Sequence, residues 1–170
     1  MCVASFGALQ AEADTEREIG DVLSYAMPAA VLGYELYRGD KEGALQFTTS
    51  FAATTLATEV LKRTTKVERP DRTNDLSFPS GHAARAFSAA SYIHRRHGWE
   101  YALPAYALAT YVGQTRVQAK RHRWGDIAGA VAVSTLATWW LVDPKSKKTV
   151  AITPLYDGEF AGLMVAARFR

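Results

Sequence analysis

Hydrophobic and polar residues follow a helical period along most of the chain, in five stretches divided by short polar breaks. Acidic residues at 14–18 suit the first turn of a first helix, and glycine, proline and charged residues mark the later breaks. In the second helix the candidate core residues are Phe47, Phe51, Leu56, Val60 and Leu61. We therefore predict an all-α fold, a bundle of about five main helices, at about residues 15–37, 41–66, 81–97, 100–120 and 125–141.

The last part of the chain changes from a helical period to a strand period. Alternating residues stand on both sides of Asp157-Gly158, a dipeptide typical of tight β-turns. We predict a short C-terminal β-hairpin at residues 149–170, appended to a single helical domain at residues 14–148.

Composition indicates one globular domain. The chain has 170 residues, of which 48% are apolar and 22% are charged, close to the values of ordinary globular proteins. Cys2 is the only cysteine, so neither an intrachain disulfide nor a cysteine-based zinc site can form. The formal net charge of +3 fits an anionic small substrate or an anionic surface, and it is too small to predict nucleic-acid binding.

The longest uncharged stretches are short for membrane-spanning helices. Each has 12 to 16 residues, against about 20 for a typical span, and mean hydropathy is −0.12. We therefore favour a soluble or membrane-peripheral protein. An integral membrane protein is the alternative, because Trp139-Trp140 would suit a lipid interface. The stretches lie at residues 22–33, 44–58, 101–115 and 127–142.

The N-terminal residues 1–13 are rich in apolar and small side chains, and Ala11-Glu12-Ala13 has the small-x-small pattern of a signal-peptide cleavage site. The segment lacks the basic start and the long apolar stretch of a complete signal peptide. We interpret it as the remnant of a leader, with a frayed N-terminus as the alternative. A leader would direct the mature chain out of the cytoplasm, to the periplasm or the cell envelope.

A histidine, a carboxylate and an arginine lie close together in the sequence near position 120. His122 and Asp126 are four residues apart, so on a helix they would share one face. A carboxylate beside an imidazole fixes the tautomer and raises the basicity of the other ring nitrogen. Arg116 could reach the same place with a planar charged fork suited to phosphate. Taken alone, such a histidine–carboxylate pair is also typical of a solvated surface.

A second group of candidate residues stands where a helix begins. The polar stretch 67–79 predicts a loop, and Ser80 is placed to cap the helix after it. Gly81 lets a ligand approach the backbone N–H groups of this helix start, which favour anions. His82 would then lie beside a bound anion, although an ordinary cap followed by a surface histidine has the same pattern.

A third group of candidates is basic. Lys62 and Arg69 are seven residues apart, and Arg69 is held before Pro70, although a solvated basic helix end is the alternative. Composition alone does not select them from their equally charged neighbours Arg63, Lys66 and Arg72. The remaining histidines, His94 and His97, are predicted to be surface residues or partners of the helix dipole.

Together the three groups resemble the signature of the type 2 phosphatidic acid phosphatase (PAP2) superfamily, which includes bacterial class A acid phosphatases and vanadium haloperoxidases. That signature is K-x6-R-P, then P-S-G-H, then S-R-x5-H-x3-D. All spacings fit, and one position departs: Thr115 stands where the family has serine. Threonine keeps the hydroxyl, so we expect little loss, although its extra methyl group could shift Arg116. The matching residues are Lys62, Arg69, Pro70, Pro79, Ser80, Gly81, His82, Arg116, His122 and Asp126.

The resemblance implies a PAP2-type helical bundle and a metal-independent phosphatase that uses no cofactor. It implies that His122 attacks phosphorus to form a phosphohistidine, that Asp126 orients His122, and that His82 protonates the departing alcohol. These roles agree with the demands of phosphoryl transfer, which depends on positioning and on stabilising charge. The residues that would hold the phosphoryl oxygens are Lys62, Arg69, Ser80, Gly81 and Arg116.

The leading hypothesis is therefore hydrolysis of phosphate monoesters. The substrate would be a lipid phosphate, such as phosphatidic acid or phosphatidylglycerophosphate, or a soluble ester. One alternative is a vanadate-dependent haloperoxidase, although those enzymes are usually much longer. Another is a non-catalytic binding module of the envelope, against which the intact set of His82, His122 and Asp126 argues. The sequence predicts no particular oligomeric state.

Overall fold

Five helices form the main part of the structure, a computed structural model that describes residues 2–145, 149–156 and 161–168, with side chains described for residues 15–145. The prediction of an all-α bundle of five helices is confirmed for this part of the chain. Two strands follow the helices. The elements are α1 (Cys2–Tyr37), α2 (Lys41–Thr65), α3 (Gly81–His97), α4 (Trp99–Gln118), α5 (Trp124–Leu141), β1 (Thr149–Tyr156) and β2 (Ala161–Arg168).

The helix boundaries follow the sequence prediction closely, with one exception. α3 has the predicted bounds, and α2, α4 and α5 differ from prediction by one or two residues at an end. α1 instead begins at Cys2, well before the predicted start at residue 15. Alanine, leucine, glutamine and glutamate dominate the sequence just before that point, and these residues favour a helix. Whether residues 1–13 are a leader remnant stays a prediction.

The two strands pair antiparallel after the helical part. Thr149 lies opposite Arg168 at one end of the ladder, and Tyr156 lies opposite Ala161 at the other. Asp157-Gly158, the predicted turn, lies outside the described residues. The C-terminal hairpin, as a turn joining two strands and packed on the helices, therefore stays a prediction.

α3 is the central helix of the bundle, because α1, α2, α4 and α5 all pack against it. Small side chains make this arrangement feasible, since they let neighbouring helices approach α3 from several sides. Phe87 and Tyr92 fill the space between the helices from the same element. The fully buried alanines of α3 are Ala83, Ala86, Ala89 and Ala90.

The buried face of α2 differs in part from the prediction. Phe47 is buried and Phe51 packs against the core as predicted, but Leu56 and Val60 are 67% and 59% exposed. A stripe of residues spaced three or four apart is buried instead, because it continues the face that Phe47 begins. Ser50 and Thr54 are tolerated there because they donate hydrogen bonds to carbonyls of their own helix, whereas Thr58 Oγ1 has no partner among the described residues. The stripe is Phe47, Ser50, Thr54 and Thr58.

A charged cluster ties the far ends of α1 and α3 to the start of α2. Arg96 is 4% exposed in its side chain and donates two hydrogen bonds to Asp40, which also accepts one from Lys145. His97 is paired through Nε2 with Glu35, whose side chain is fully buried. His97 is therefore not the surface residue of one prediction, because a carboxylate of α1 holds it partly buried, whereas its place in the last turn of α3 agrees with the other, a partner of the helix dipole.

Among the described residues, none of the helices combines the length and the apolar character that a membrane-crossing segment requires. Trp139 and Trp140 stand at the end of α5, where Trp140 is 90% exposed. This indole is therefore on the surface rather than in the core of the bundle.

Candidate active site

The loop between α2 and α3 carries several candidate residues, and backbone contacts hold it in place. Ser77 N donates to Val67 O at 2.9 Å, and Arg69 N donates to Asn74 O at 2.9 Å. At its end, Ser80 N donates to Asp126 O at 3.1 Å. The loop is therefore fixed against α5, which brings the first and second sequence groups to the third.

His122 lies in the connection between α4 and α5, and Asp126 lies in the first turn of α5. The imidazole is 3% exposed, and its Nδ1 lies 3.5 Å from Asp126 Oδ2. The expectation that both residues share a helix face is wrong, because His122 precedes the helix. The contact forms because the connection turns His122 back onto the helix start.

Asp126 is held by two donors besides its approach to His122. Its Oδ2 accepts a hydrogen bond of 2.6 Å from Ser77 Oγ and one of 2.8 Å from Arg123 N. A carboxylate accepting a backbone N–H at a helix start is a stabilising arrangement. Ser77 is a site residue that sequence reasoning missed, because no spacing rule relates it to Asp126, 49 positions away.

The surroundings of His122 favour the neutral imidazole. They lower the pKa of His122 to about 4: burial is the largest cause, the nearby cations Lys62 and Arg69 act in the same direction, and Asp126 opposes them. A neutral ring has a lone pair on one nitrogen at neutral pH. With Nδ1 directed toward Asp126, the nitrogen left for a reaction is Nε2.

Lys62 stands in the last turns of α2, beside the start of α3. Its Nζ donates to Leu76 O at 2.9 Å, and its Cε would lie 3.7 Å from a Cβ built on Gly81. Burial lowers the pKa of Lys62 to about 8, and the charge of Arg69 acts in the same direction. The two cations are therefore close enough to disfavour each other's charge, which an anion between them would relieve.

His122 Nδ1 is buried without a hydrogen-bond partner among the described residues, and the same holds for Ser80 Oγ and Arg69 Nε. Ser80 is the N-cap residue of α3, but its side chain makes no cap hydrogen bond, so the capping role predicted for its hydroxyl is wrong. A buried polar atom without a partner is costly and calls for a ligand or a functional explanation. An oxyanion at the start of α3 would supply Ser80 Oγ and Arg69 Nε with a partner.

His82 lies in the first turn of α3, one-third exposed, with Nε2 2.8 Å from Asp21 Oδ1. The ring of Tyr25 meets it edge-on. The surroundings lower the pKa of His82 to about 4: burial is the largest cause, the charges of Arg85 and Arg116 act in the same direction, and Asp21 opposes them. Lys62 also acts on this group, so one lysine lies near both candidate histidines.

Arg116 is buried in α4 and is bound mainly by α1. Its Nη1 donates to Asp21 Oδ1 at 2.6 Å, and its Nη2 donates to the carbonyl of Arg17. The Thr115 hydroxyl accepts from the same guanidinium at 3.3 Å, so threonine keeps the hydroxyl of the family's serine beside Arg116. The contacts with α1 had no signal in the sequence, which marks residues 14–18 only as a helix start.

Two cavities lie near these helices. A small one of about 100 Å³ is lined by Lys62, Gly81 and Arg85 among others, at the candidate site. A larger one of about 910 Å³ lies between α1, α3 and α4, and none of the predicted site residues lines it. The described residues contain no group of three or more histidine, cysteine, aspartate or glutamate side chains placed to hold a metal.

Two curated proteins resemble parts of this chain. A lipid A 4'-phosphatase of Helicobacter pylori (strain J99) is 46% identical over 55 residues, which is 32% of this chain and 28% of that protein. A lipid A 1-phosphatase of Porphyromonas gingivalis is 35% identical over 82 residues, which is 44% of this chain and 18% of that protein. The chain thus spans less than a third of the length of either relative.

Two crystal structures share the fold. LpxE of Aquifex aeolicus superposes with a TM-score of 0.66 at 17% identity, over 76% of this chain and 84% of that one. The first transmembrane PAP2 type phosphatidylglycerolphosphate phosphatase from Bacillus subtilis gives a TM-score of 0.59 at 19% identity, over 83% and 86%. At these identities the likeness concerns the fold.

A family match connects the fold with the candidate site. Residues 43–149 match the PAP2 superfamily, and this range contains all three sequence groups from Lys62 to Asp126. The match covers more than half of the chain, and the helices that it spans place those groups around the start of α3. The chain therefore belongs to the PAP2 superfamily.

Proposed function

We propose that this chain is a phosphatase that hydrolyses lipid phosphate monoesters through a phosphohistidine intermediate. The observation that carries the proposal is the surroundings of His122: a buried neutral imidazole, 3.5 Å from a fixed carboxylate and under the influence of Lys62 and Arg69. This arrangement combines a nucleophile with cations suited to a phosphoryl group.

In the proposed first step, His122 Nε2 attacks phosphorus, and the bond from phosphorus to the ester oxygen breaks. The negative charge of the bound phosphate ester favours the imidazolium, so His82 takes up a second proton when the substrate binds. His82 then gives this proton to the ester oxygen, so the alcohol leaves neutral. Asp126 holds the Nδ1 side of His122 and stabilises the positive charge that develops on the ring. In the second step a water molecule attacks phosphorus, gives a proton back to His82, and releases His122 and inorganic phosphate.

Lys62, Arg69, Ser80, Gly81 and Arg116 are the proposed ligands of the phosphoryl oxygens. The unpartnered Ser80 Oγ and Arg69 Nε support this assignment, because both are buried donors that lack an acceptor. Gly81 contributes its backbone N–H at the start of α3, where the helix dipole favours an anion. Together they would stabilise the negative charge on the phosphoryl oxygens in the transition state, as a metal ion does in other phosphoryl-transfer enzymes.

The apolar cavity supports a lipid rather than a soluble substrate. Met27, Val31, Ile93 and Leu108 line it, and it lies along α1 and α3, the helices that carry Asp21 and His82. Met27 is six residues beyond Asp21, which corresponds to about 9 Å along a helix. An acyl chain could occupy this cavity while its phosphate lies at the start of α3.

The names of the relatives support the same substrate class and a place in the cell envelope. Two of them are lipid A phosphatases, and one structural neighbour is a phosphatidylglycerolphosphate phosphatase. We propose that the protein acts at an envelope membrane, either from its surface or embedded in it, on a lipid A-type phosphate or on phosphatidylglycerophosphate.

A phosphate-release panel tests the activity. The full chain in detergent should release phosphate from a lipid A phosphate, from phosphatidylglycerophosphate and from phosphatidic acid, without added metal. His122→Ala should remove turnover with little change in melting temperature. Residual activity above a few per cent in that variant, or no release from any ester by the unaltered protein, would count against the proposal.

Chain length of the substrate tests the lipid assignment. Alkyl phosphates with 4 to about 12 carbons should show kcat/KM rising with length, since each buried methylene contributes about 0.8 kcal/mol. Ala105→Trp, which adds bulk to the lining of the cavity, should reduce that rise without changing turnover of the shortest ester. A kcat/KM independent of chain length would instead favour a soluble ester.

A further inference from the structure

One carboxylate of α1 touches two candidate groups at once. Asp21 Oδ1 lies 2.8 Å from His82 Nε2, and the same atom accepts a hydrogen bond of 2.6 Å from Arg116 Nη1. These three side chains come from α1, α3 and α4. Asp21 lies outside residues 43–149, the range that matches the family, so the family match does not include this contact.

The backbone of α1 is built for this approach. A Cβ on Gly20 would lie 2.2 Å from Thr115 Oγ1 and 2.7 Å from Arg116 Nη2, so only glycine lets α1 come so close to α4. The carbonyl of Arg17 binds the same guanidinium. One turn after Asp21, Tyr25 stands edge-on to the His82 ring and faces Arg85. Asp21 is therefore held beside His82 by contacts on both sides of it along the helix.

We propose that Asp21 is a positioning residue for His82, fixing its ring and tautomer so that Nδ1 faces the departing oxygen of the substrate. The inference rests on the proposed phosphatase function. With Nε2–H directed to Asp21, the proton that His82 gives to the ester oxygen comes from Nδ1. After that transfer His82 is neutral and keeps its remaining proton on Nε2, and this N–H donates a hydrogen bond to Asp21.

Asp21 also affects the protonation of His82, because cations surround this ring. Arg85 on α3, Arg116 on α4 and Lys62 on α2 all disfavour a proton on this imidazole, and Asp21 on α1 favours it. A general acid must hold its proton until the ester bond breaks. The cations of the phosphate site lower the pKa of His82, and Asp21 opposes this effect. Asp21 therefore favours the protonated form that His82 needs as the acid.

The experiment compares Asp21→Asn with Glu18→Gln, which removes a charge from an exposed position of the same helix. Substrates are a 4-nitrophenyl ester, whose leaving group needs little protonation, and an alkyl ester, whose leaving group needs it. Asp21→Asn should lower kcat by about 10- to 100-fold on the alkyl ester and much less on the aryl ester. The alkaline limb of its pH profile should move about one unit lower. Glu18→Gln should match the unaltered protein.

Two outcomes would overturn the inference. Equal losses on both esters with an unmoved pH profile would make Asp21 a structural residue. A gain in activity would mean that Asp21 occupies the place of a phosphoryl oxygen and blocks the site.

Should Asp21→Asn fail to fold, Asp21→Glu takes its place. This variant keeps the charge but moves the carboxylate oxygen, so kcat should still fall more on the alkyl ester than on the aryl ester. An unchanged ratio of the two kcat values overturns the inference.

A readout without turnover separates this inference from the proposed function. In protein labelled with ¹⁵N-histidine, the His82 signals, identified by their loss in His82→Gln, should show Nε2 protonated at pH 7. Asp21→Asn should weaken this tautomer preference and Glu18→Gln should keep it. Protonation at Nδ1 in the unaltered protein overturns the inference, whether or not any ester is hydrolysed; inactivity on every ester with the expected tautomer overturns only the proposed function.

Discussion

Two buried serines only three positions apart have opposite surroundings. Ser77 donates a 2.6 Å hydrogen bond to Asp126, whereas Ser80 Oγ has no partner among the described residues. Removing a hydroxyl that binds a carboxylate leaves the charge less well compensated, but removing an unpartnered hydroxyl relieves a cost. The two residues therefore separate structural from ligand-binding roles at the same site.

Alanine at these two positions should give opposite results. Ser77→Ala should lower the free energy of unfolding by about 1.5–3 kcal/mol. Ser80→Ala should leave that free energy unchanged or slightly higher, while KM for a phosphate ester rises about tenfold. Urea denaturation and steady-state kinetics on both variants measure these effects. A Ser80→Ala protein that loses stability but keeps its KM would show that the hydroxyl serves the fold.

The two imidazoles also predict how stability depends on pH. Burial is the main cause that lowers the pKa values of His82 and His122 to about 4. An unfolded histidine, with a pKa near 6.5, binds its proton first as the pH falls. Protonation therefore favours the unfolded chain, and the free energy of unfolding should decrease between about pH 6.5 and 4.

His122→Gln tests this dependence, because it removes one of the two groups. The variant should lose less stability than the unaltered protein between pH 7 and 4.5, as measured by urea denaturation at several pH values. A difference between the two proteins that stays constant across this range would show that burial does not suppress protonation of His122.

At the scale of the helix, α1 contains two glycines with opposite surroundings. Gly33 has nothing within 4 Å of a built Cβ, whereas a Cβ on Gly20 would overlap the side chains of Thr115 and Arg116. Alanine is the better helix former, so the effect of the substitution depends on the space available.

Gly33→Ala should raise the free energy of unfolding by about 0.5–1 kcal/mol and leave turnover unchanged. Gly20→Ala should lower the free energy of unfolding by about 1–3 kcal/mol, since the helix must move away from α4. It should also reduce turnover, because Asp21 moves with the helix. Thermal denaturation and kcat of both variants measure the difference, and similar behaviour of the two would show that α1 does not pack tightly on α4.

The helices could be predicted from sequence because their signals are local. Gly81 and Gly98 bracket α3, and its bounds were predicted correctly for that reason. The contacts of α1 with the site could not be predicted, since they join residues far apart in the chain. Asp21 meets Arg116 across 95 positions, and no periodicity relates the two. Arg69 and His122 could be proposed as site residues because their motifs have fixed internal spacing.

The sequence also left open which side of a helix faces inward. Leu56 and Val60 are as apolar as many core residues, yet they lie outside while threonines of α2 lie inside. The direction of the buried face depends on where α3 and α5 lie relative to α2. That arrangement is a property of the whole bundle, which local hydropathy does not determine.

At the scale of the helical bundle, the candidate active site and a buried ion-pair cluster lie at opposite ends of α3. His82 lies in the first turn of α3 and Arg96 near its end, 14 residues apart, which corresponds to about 21 Å. Arg96 and Asp40 join α3 to the start of α2 at the far end, where Lys145 also contacts Asp40. Stability and turnover should therefore respond separately to changes at the two ends.

Asp40 provides the test of this separation. Hydrogen bonds from Lys145 and from Gly43 N, together with Arg96, hold the pKa of Asp40 well below its ordinary value. A lowered carboxylate pKa stabilises the fold above about pH 4, and this contribution is lost as the pH falls below that value. Asp40→Asn removes the carboxylate charge that faces the buried Arg96 and leaves it mainly neutral acceptors, Gln46 Oε1 and Asp143 O, which should lower the free energy of unfolding by about 3 kcal/mol at pH 7.

The loss caused by Asp40→Asn should shrink below pH 4, because the unaltered protein then loses the same contribution. Turnover of a short alkyl phosphate at 25 °C should stay unchanged, since the substitution lies far from His82 and His122. Glu100→Gln is the matched control, because Glu100 is an exposed carboxylate in the first turn of α4, where such a charge contributes only about 0.3–1 kcal/mol. Urea denaturation from pH 3 to pH 7 and phosphate release at pH 7 measure both effects. A loss of turnover in proportion to the loss of stability would mean that the two ends of α3 act as one unit.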